Sequence, residues 1–235
     1  MGSKRIQADI RELQQPLYRE SGIFYEPNEE NILNGSACIF GPTDTPYEDC
    51  PMLYSFTLSS TFPFDSPIVQ FKTSDGHTRF HPNMYMGGKV CLSILGTWSG
   101  PSWSSIMRIS TVLVTLQSIM TANPITNEPG YAALEPNTEK ALSYSRFVEV
   151  ACIRYILERA EAQIQPRPFQ PFVEEFQRRL PGTLERLEGR LLRRLEETGE
   201  VEFTNVPYQM CGKSGYRSLL DRVVKLKTAC NGPVQ

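Results

Sequence analysis

The chain has 235 residues, 40% of them hydrophobic and 21% charged, with a net charge of −2 and a pI near 5.8. That is ample for a core, long for one domain and short for two full ones, so a main domain plus an extension is expected. Near-neutral charge argues against a nucleic-acid backbone as partner, and no apolar run reaches the roughly 18 residues of a membrane span.

The N-terminal stretch MGSKRIQADIREL is polar from its start and reads as neither signal peptide nor anchor. It begins Met-Gly, but Ile6 stands where a myristoylation signal wants Ser or Thr. Ile6, Ile10, Leu13 and Leu17 recur at helical spacing, with Ser3 as the N-cap and Pro16 and Ser21-Gly22 as the stop. From 31 to 73, ILNGSACIF, MLYSFTLSS and SPIVQFKT alternate with turn-rich segments, which predicts an antiparallel meander of three or four strands. Residues 74–103 carry no period, and an irregular stretch of about 30 residues marks a functional loop.

Helix resumes with Ile109, Val112, Leu113, Leu116, Ile119 and Met120 on one face, ending before Asn123-Pro124. A second helix is expected over about 138–163, with Val148, Cys152, Tyr155 and Ile156 inward. QPRPFQP (165–171) marks a boundary. Beyond it come two short helices parted by Pro181-Gly182, bearing Leu184, Leu187, Leu191 and Leu195 and the pairs Glu174–Arg178 and Glu175–Arg179. A last helix is expected over 213–228. The order defines an α+β fold with two parts, 1–163 and a mostly helical extension, 164–235.

The six cysteines (38, 50, 91, 152, 211, 230) form no CxxC pair, and the histidines are His77 and His81 alone. No zinc site follows from such spacing, and the cysteines read as reduced thiols of a cytoplasmic or nuclear protein. Cys91 stands apart because it lies in the irregular loop, in FHPNMYMGGKVCLSILGTWSGPSW (80–103). Cysteine is the strongest neutral-pH nucleophile in proteins, although only a few per cent is thiolate at pH 7. A papain-like protease is a poor fit, since no Cys-Gly-Ser-Cys-Trp signature surrounds Cys91 and both histidines lie upstream on its own loop.

HPN at 81–83, followed by Cys91 eight residues after Asn83, resembles the active-site segment of the ubiquitin-conjugating enzymes. KRIQADIREL, GPTDTPYEDC, FPFDSPIVQF and the Trp after the Cys agree in order, so the resemblance covers about residues 4–163. GTW (96–98) and NEPGY (127–131) resemble a subgroup of larger members, some with C-terminal extensions. The resemblance implies an N-terminal helix, a four-stranded meander, a long active-site loop and C-terminal helices. It further implies a Cys91 thioester with ubiquitin or a similar modifier, received from an activating enzyme and passed to substrate lysine; no cofactor is expected, and spacing, charge and hydropathy argue against a metal, nucleic acid or membrane.

Asn83 then stabilises the oxyanion or supports the loop, and His81 is structural rather than a proton carrier. Glu128 orients lysine or is a solvated loop glutamate; Tyr85 lines the cleft or the core; Lys89 is a solvated turn residue or a self-modification site. Lys4, Arg5 and Arg11 correspond to the face that meets the activating enzyme, or form a solvated helix face. Phe64, Trp103 and Ser104 correspond to the ligase-binding loops. Two departures stand out: Ser93 replaces an aspartate common two residues after the cysteine, and Trp103-Ser104-Ser105-Ile106 lacks the proline of Trp-Ser-Pro-Ala. The altered loop admits an enzyme that selects substrates without a ligase. Intact HPN and Cys91 argue against a non-catalytic ubiquitin-binding relative. The extension reads as a helical layer on the core, or as a selector of modifier or substrate.

Overall fold

The computed structural model describes residues 2–230, so the last five residues of the expected extension lie outside the described residues. Helix α1 (Gly2–Leu13) buries Ile6 and Leu13. It already includes Ser3, which is therefore not its N-cap. It also stops short of Pro16, which opens a separate short helix, α2 (Pro16–Glu20), at the position where a missing N–H costs nothing. The change of axis takes Leu17 off the apolar stripe and leaves it 66% exposed.

A four-stranded antiparallel meander follows: β1 (Ile23–Pro27), β2 (Asn34–Phe40), β3 (Pro51–Thr57) and β4 (Ile68–Phe71), in spatial order β1-β2-β3-β4. Phe24 opposes Cys38, Cys38 opposes Leu53, and Tyr54 opposes Phe71. The first strand, IFYEP, is absent from the strands named from sequence. Helices α3 (Ile109–Ser118) and α4 (Glu139–Glu161) complete the main layer, α4 capped by Thr138, whose hydroxyl accepts from the Ala141 N–H. Val148, Cys152, Tyr155 and Ile156 are all buried, as expected.

Buried Asp9 joins α1 to α3. It accepts from Arg5 Nε at 2.9 Å, Arg108 Nη1 at 3.1 Å and the Ile109 N–H at 3.2 Å. The last contact puts a carboxylate on the N-terminal end of α3, where free amides and the helix dipole favour negative charge.

Two expectations about the extension need correction. The pair of helices parted by Pro181-Gly182 is one helix, α5 (Val173–Thr198), with the proline inside it. The packed stripe Phe176, Leu180, Leu184, Leu187 and Leu191 runs through on the inner face, while the Pro181 ring points to solvent. Pro181 removes one backbone donor without touching the face that holds the helix down. Arg178 pairs with Glu175 rather than Glu174. Secondly, between α5 and α6 (Tyr216–Cys230) lies a small antiparallel hairpin, β5 (Glu202–Val206) and β6 (Met210–Lys213).

The 165–171 segment is itself anchored, with Phe169 and Phe172 buried and Phe169 edge-on to Phe176 at 5.3 Å. The extension docks on α4 through Phe203 against Phe147, at 5.3 Å, and through buried Glu149, which accepts from Arg190 and Arg194 at 2.8 and 2.9 Å. Burial pushes the Glu149 carboxyl up, but the two guanidiniums outweigh it and hold the group below its usual range. Among the described residues no helix is long and apolar enough to cross a membrane.

Replacing Pro181 by Ala restores an N–H within the helix without disturbing the buried stripe. Pro181→Ala should raise stability in urea unfolding by about 1–3 kcal/mol. A neutral or negative result would mean that the helix is bent to suit the proline.

Candidate active site

Backbone in the loop before α3 follows neither helix nor strand, so each carbonyl that leaves water needs its own donor. Residues 79–82 each find at least one, His81 O accepting from the Met84 N–H at 2.9 Å as well as from a side chain. The Tyr144 hydroxyl donates to Arg79 O at 2.9 Å and the Tyr47 hydroxyl to Phe80 O at 2.8 Å. Arg79 bends over its own chain, Nε to His81 O at 3.1 Å and Nη2 to Pro82 O at 2.6 Å.

His81 is fully buried with both ring nitrogens engaged. Nδ1 accepts from the Asn83 N–H at 3.0 Å, so Nε2 carries the proton and donates to Ile119 O at 2.9 Å. Burial pushes its pKa down to about 4, with Arg79 adding to the effect and the Ile119 hydrogen bond opposing it. A neutral imidazole with both nitrogens occupied is a fixed strut in this loop.

The spacing from Asn83 to Cys91 has a geometric cause. Met84 bridges Val90 in antiparallel sense, and the Tyr85 N–H donates to Lys89 O at 2.9 Å across a turn that needs Gly88 at φ +89°. One step outward in the same register, the Cys91 N–H donates to Asn83 O at 2.8 Å, and Asn83 Nδ2 donates to Cys91 O at 2.7 Å. Asn83 and Cys91 are thus a cross-strand pair of a miniature hairpin, and one residue more or fewer would turn the cysteine to the other face. The acceptor at Cys91 O fixes the amide's orientation and leaves Asn83 Oδ1 buried without a partner.

Beyond the cysteine, Thr97 clamps the strand. Its hydroxyl donates to Val90 O at 2.7 Å and accepts from the Leu92 N–H at 3.0 Å. Gly100, at φ +135°, lies against Ser93; a Cβ there would sit 3.0 Å from the serine Cβ, so the following loop folds back close to the cysteine. Cys91 is only 2% exposed.

Arg79 ties this hairpin to the extension. Its guanidinium lies 3.3 Å from the Tyr85 ring centre and 4.9 Å from that of Tyr208, in the turn between β5 and β6. The Tyr208 hydroxyl donates to Glu128 Oε2 at 2.5 Å. Glu128 therefore joins the hydrogen-bonded surroundings of the HPN segment rather than standing free in solvent. Lys89 is exposed, 5.6 Å from the Tyr85 ring centre.

Of the surface residues named from sequence, Lys4 and Arg11 are exposed, but the Arg5 fork is spent inside. Besides Asp9 it reaches the carbonyls of Ser105, Ile106 and Met107 at 3.1, 3.3 and 2.5 Å. Phe64 is 75% and Ile106 82% exposed. Trp103 is half-buried, packed 6.0 Å from the Phe62 ring and donating Nε1 to Pro63 O at 2.8 Å, while Ser104 is exposed beside it. The Phe64 and Trp103 loops are thereby one joined surface. Sequence reasoning missed Arg79, Thr97 and Tyr208. Thr97 lies within a triplet quoted from the sequence, and Arg79 only two residues before His81; nothing in the spacing of the extension points to Tyr208. No group of three or more His, Cys, Asp and Glu among the described residues is placed to hold a metal.

Comparison with known proteins gives the class to which the chain belongs. The model of the ubiquitin-conjugating enzyme family matches residues 5–149, and the chain belongs to that family. Its similar relatives include ubiquitin-conjugating enzyme E2 Z of Xenopus tropicalis, 39% identical over 165 residues (68% of this chain, 51% of the relative), and its Homo sapiens counterpart, 45% identical over 130 residues (54% and 36%). A dual E2 ubiquitin-conjugating enzyme/E3 ubiquitin-protein ligase, BIRC6 of Homo sapiens, is 35% identical over 154 residues (60% and 3%). The chain spans about half the length of the first of these and less of the others. Among solved structures, the E2 domain of a Toxoplasma gondii ubiquitin conjugating enzyme aligns with a TM-score of 0.48 at 21% identity, over 63% of this chain and 97% of that one.

Two outcomes follow from burial. The unfolded chain binds a proton at His81 between about pH 6.5 and 4 that the folded chain refuses, so stability falls as pH drops through that window. From pH 7 to 5, above most carboxylate titration, the loss in urea unfolding should be about 2 kcal/mol, and the slope should vanish in His81→Gln. Exposed Cys211 should react with a bulky maleimide at least about tenfold faster than Cys91, as read by peptide mass mapping.

Proposed function

We propose that the chain takes ubiquitin, or a ubiquitin-like modifier, from an activating enzyme as a thioester on Cys91 and passes it to a substrate lysine. The observation that carries this reading is the pairing of Asn83 with Cys91 across the small hairpin. In the first step the Cys91 thiol loses its proton and its sulfur attacks the modifier's terminal carbonyl, displacing the activating enzyme's thiolate. Leaving and entering groups are alike in pKa, so the exchange asks for little besides access, and Cys91, buried at rest, has to be uncovered when the activating enzyme docks.

Transfer to lysine asks for more. The amine arrives protonated, with a free pKa of about 10.4, and must first give its proton to solvent. Its lone pair then attacks the thioester carbonyl, creating a tetrahedral oxyanion that collapses with the carbon–sulfur bond breaking and Cys91 leaving as thiolate. A side-chain amide has two N–H groups. One of Asn83's holds the Cys91 carbonyl and the second is the donor for the oxyanion, so loop support and catalysis are compatible in one residue. His81 keeps the loop in place and moves no proton. Glu128 holds Tyr208 through Oε2, and Oε1 is the oxygen that would receive the lysine ammonium.

Lys4 and Arg11 are the exposed cations suited to an activating enzyme's acidic surface. The joined Phe64–Trp103–Ser104 surface suits a ligase, although the serine pair at 104–105 in place of Ser-Pro makes direct substrate selection a second reading. That reading draws support from the relative named as a dual conjugating enzyme and ligase. Free thiols fit a reducing compartment, cytoplasm or nucleus.

A charging assay with activating enzyme, ubiquitin and ATP, resolved without reductant, tests the main reading. Wild type should form a reductant-sensitive adduct that Cys91→Ser loses or makes reductant-resistant. Asn83→Ala should charge normally yet discharge to lysine about 10²–10³-fold more slowly. Equal loss in both steps would assign Asn83 to folding alone, and no adduct with any modifier would remove the reading.

A further inference from the structure

Glu128, Arg79, Tyr85 and Tyr208 form one cluster although they come from three parts of the chain: the active-site loop, the link before α4 and the extension hairpin. Its centre is Arg79, a planar cation held between two aromatic faces, with Tyr85 at 3.3 Å and Tyr208 at 4.9 Å. The guanidinium spends its hydrogen bonds on His81 O and Pro82 O, the carbonyls that immediately precede Asn83. The extension contributes more than the ring: Met210 Sδ accepts from the Arg79 N–H at 3.1 Å, and Tyr208 packs edge-on to Tyr144, the residue that holds Arg79 O.

Tyr208 and its neighbour Gln209 reach this position in the left-handed region, at φ +65° and +59°, which side chains other than glycine adopt at a cost. A strained turn that delivers an aromatic ring onto an arginine is held there by its contacts. The Tyr208 hydroxyl is pushed well above its usual range, first by burial and then by Glu128, so it remains a donor at any working pH.

We propose that the turn of the extension hairpin is a wall of the active site, in which Tyr208 is a positioning residue that acts through Arg79 to hold Asn83 for transfer to lysine. This rests on the function proposed above. It gives the extension a part in the chemistry itself, in place of a covering layer alone. Because thioester exchange asks little of the loop and aminolysis asks much, loss of the wall should separate the two steps.

The test uses the full chain. Charging is followed by the thioester adduct and transfer by single-turnover discharge to free lysine. Tyr208→Ala should charge within about twofold of wild type and discharge about tenfold more slowly. Tyr208→Phe, which keeps the ring, should recover most of the rate. Arg79→Lys, which keeps the charge but loses the planar fork, should resemble Tyr208→Ala. In an Asn83→Ala background Tyr208→Ala should add nothing, since the two act in series.

Leu191→Ala, in the buried stripe of α5, weakens the extension without touching the cluster and should leave the ratio of discharge to charging unchanged. Equal loss of charging and discharge in Tyr208→Ala, additive effects with Asn83→Ala, or the same split in Leu191→Ala would each overturn the proposal. Hydrogen exchange at the Asn83 and Cys91 backbone amides reads the same positioning without chemistry. Exchange about tenfold faster in Tyr208→Ala supports the wall, and unchanged exchange rejects it, even for a protein that accepts no modifier.

Discussion

A carbonyl group withdrawn from water must find a donor, and four in a row at residues 79–82 do so without help from helix or sheet. Everything in the site hangs on that solution. Tyr47 and Tyr144 reach in from the sheet side and from α4, and burial pushes both hydroxyls far up, so neither is lost as a donor by ionisation. With the segment pinned, His81 can be a neutral strut, the miniature hairpin can close, and Asn83 and Cys91 meet in register. The irregular loop is therefore rigid for a reason that regular structure could not supply. Its path is drawn by side chains.

Arginine is the instrument this protein uses repeatedly for that purpose. Arg5 captures the carbonyls of residues 105–107, Arg79 those of 81 and 82, and Arg154 those of 213 and 214. A lysine offers a point charge where these positions need a planar fork spanning adjacent acceptors. The same residue type docks α5, where Arg190 and Arg194 share the buried Glu149 carboxylate. A chain with nearly balanced charge thus spends much of its basic content on internal bracing. This is why a count of cations on the first helix overstates its free positive surface: Arg5 is turned inward, beside exposed Lys4 and Arg11.

The main fold was legible where periodicity was strong. The stripe from Ile109 to Met120 and the inward face of α4 follow from spacing alone, and so does the meander from β2 to β4. β1 escaped because IFYEP is short, ends in Glu-Pro and follows directly on Ser21-Gly22, so it reads as the tail of a turn. Pro181 misled because sequence shows a missing donor but not which way the ring points. The hairpin of the extension went unseen for a similar reason: EFTNV and MCGK are too short and polar to carry an alternating pattern. In the site, HPN and Cys91 were readable because their spacing is local register. Tyr208 was not, since a contact with Arg79 across more than a hundred residues leaves no trace in spacing.

That long separation has a consequence for how the protein comes into being. Arg79 leaves the ribosome with Tyr85 close behind it, and the first of its two aromatic faces forms as soon as the hairpin does. The second face, and the hydroxyl that engages Glu128, are synthesised only after α4 and α5. A nascent chain can complete its sheet and present Cys91 while one side of the arginine still faces water. The finished surroundings arrive only after α5 has been made, so a chain extended as far as α4 and one extended through the hairpin of the extension differ at the site itself, although every residue of the HPN segment is already in place in both.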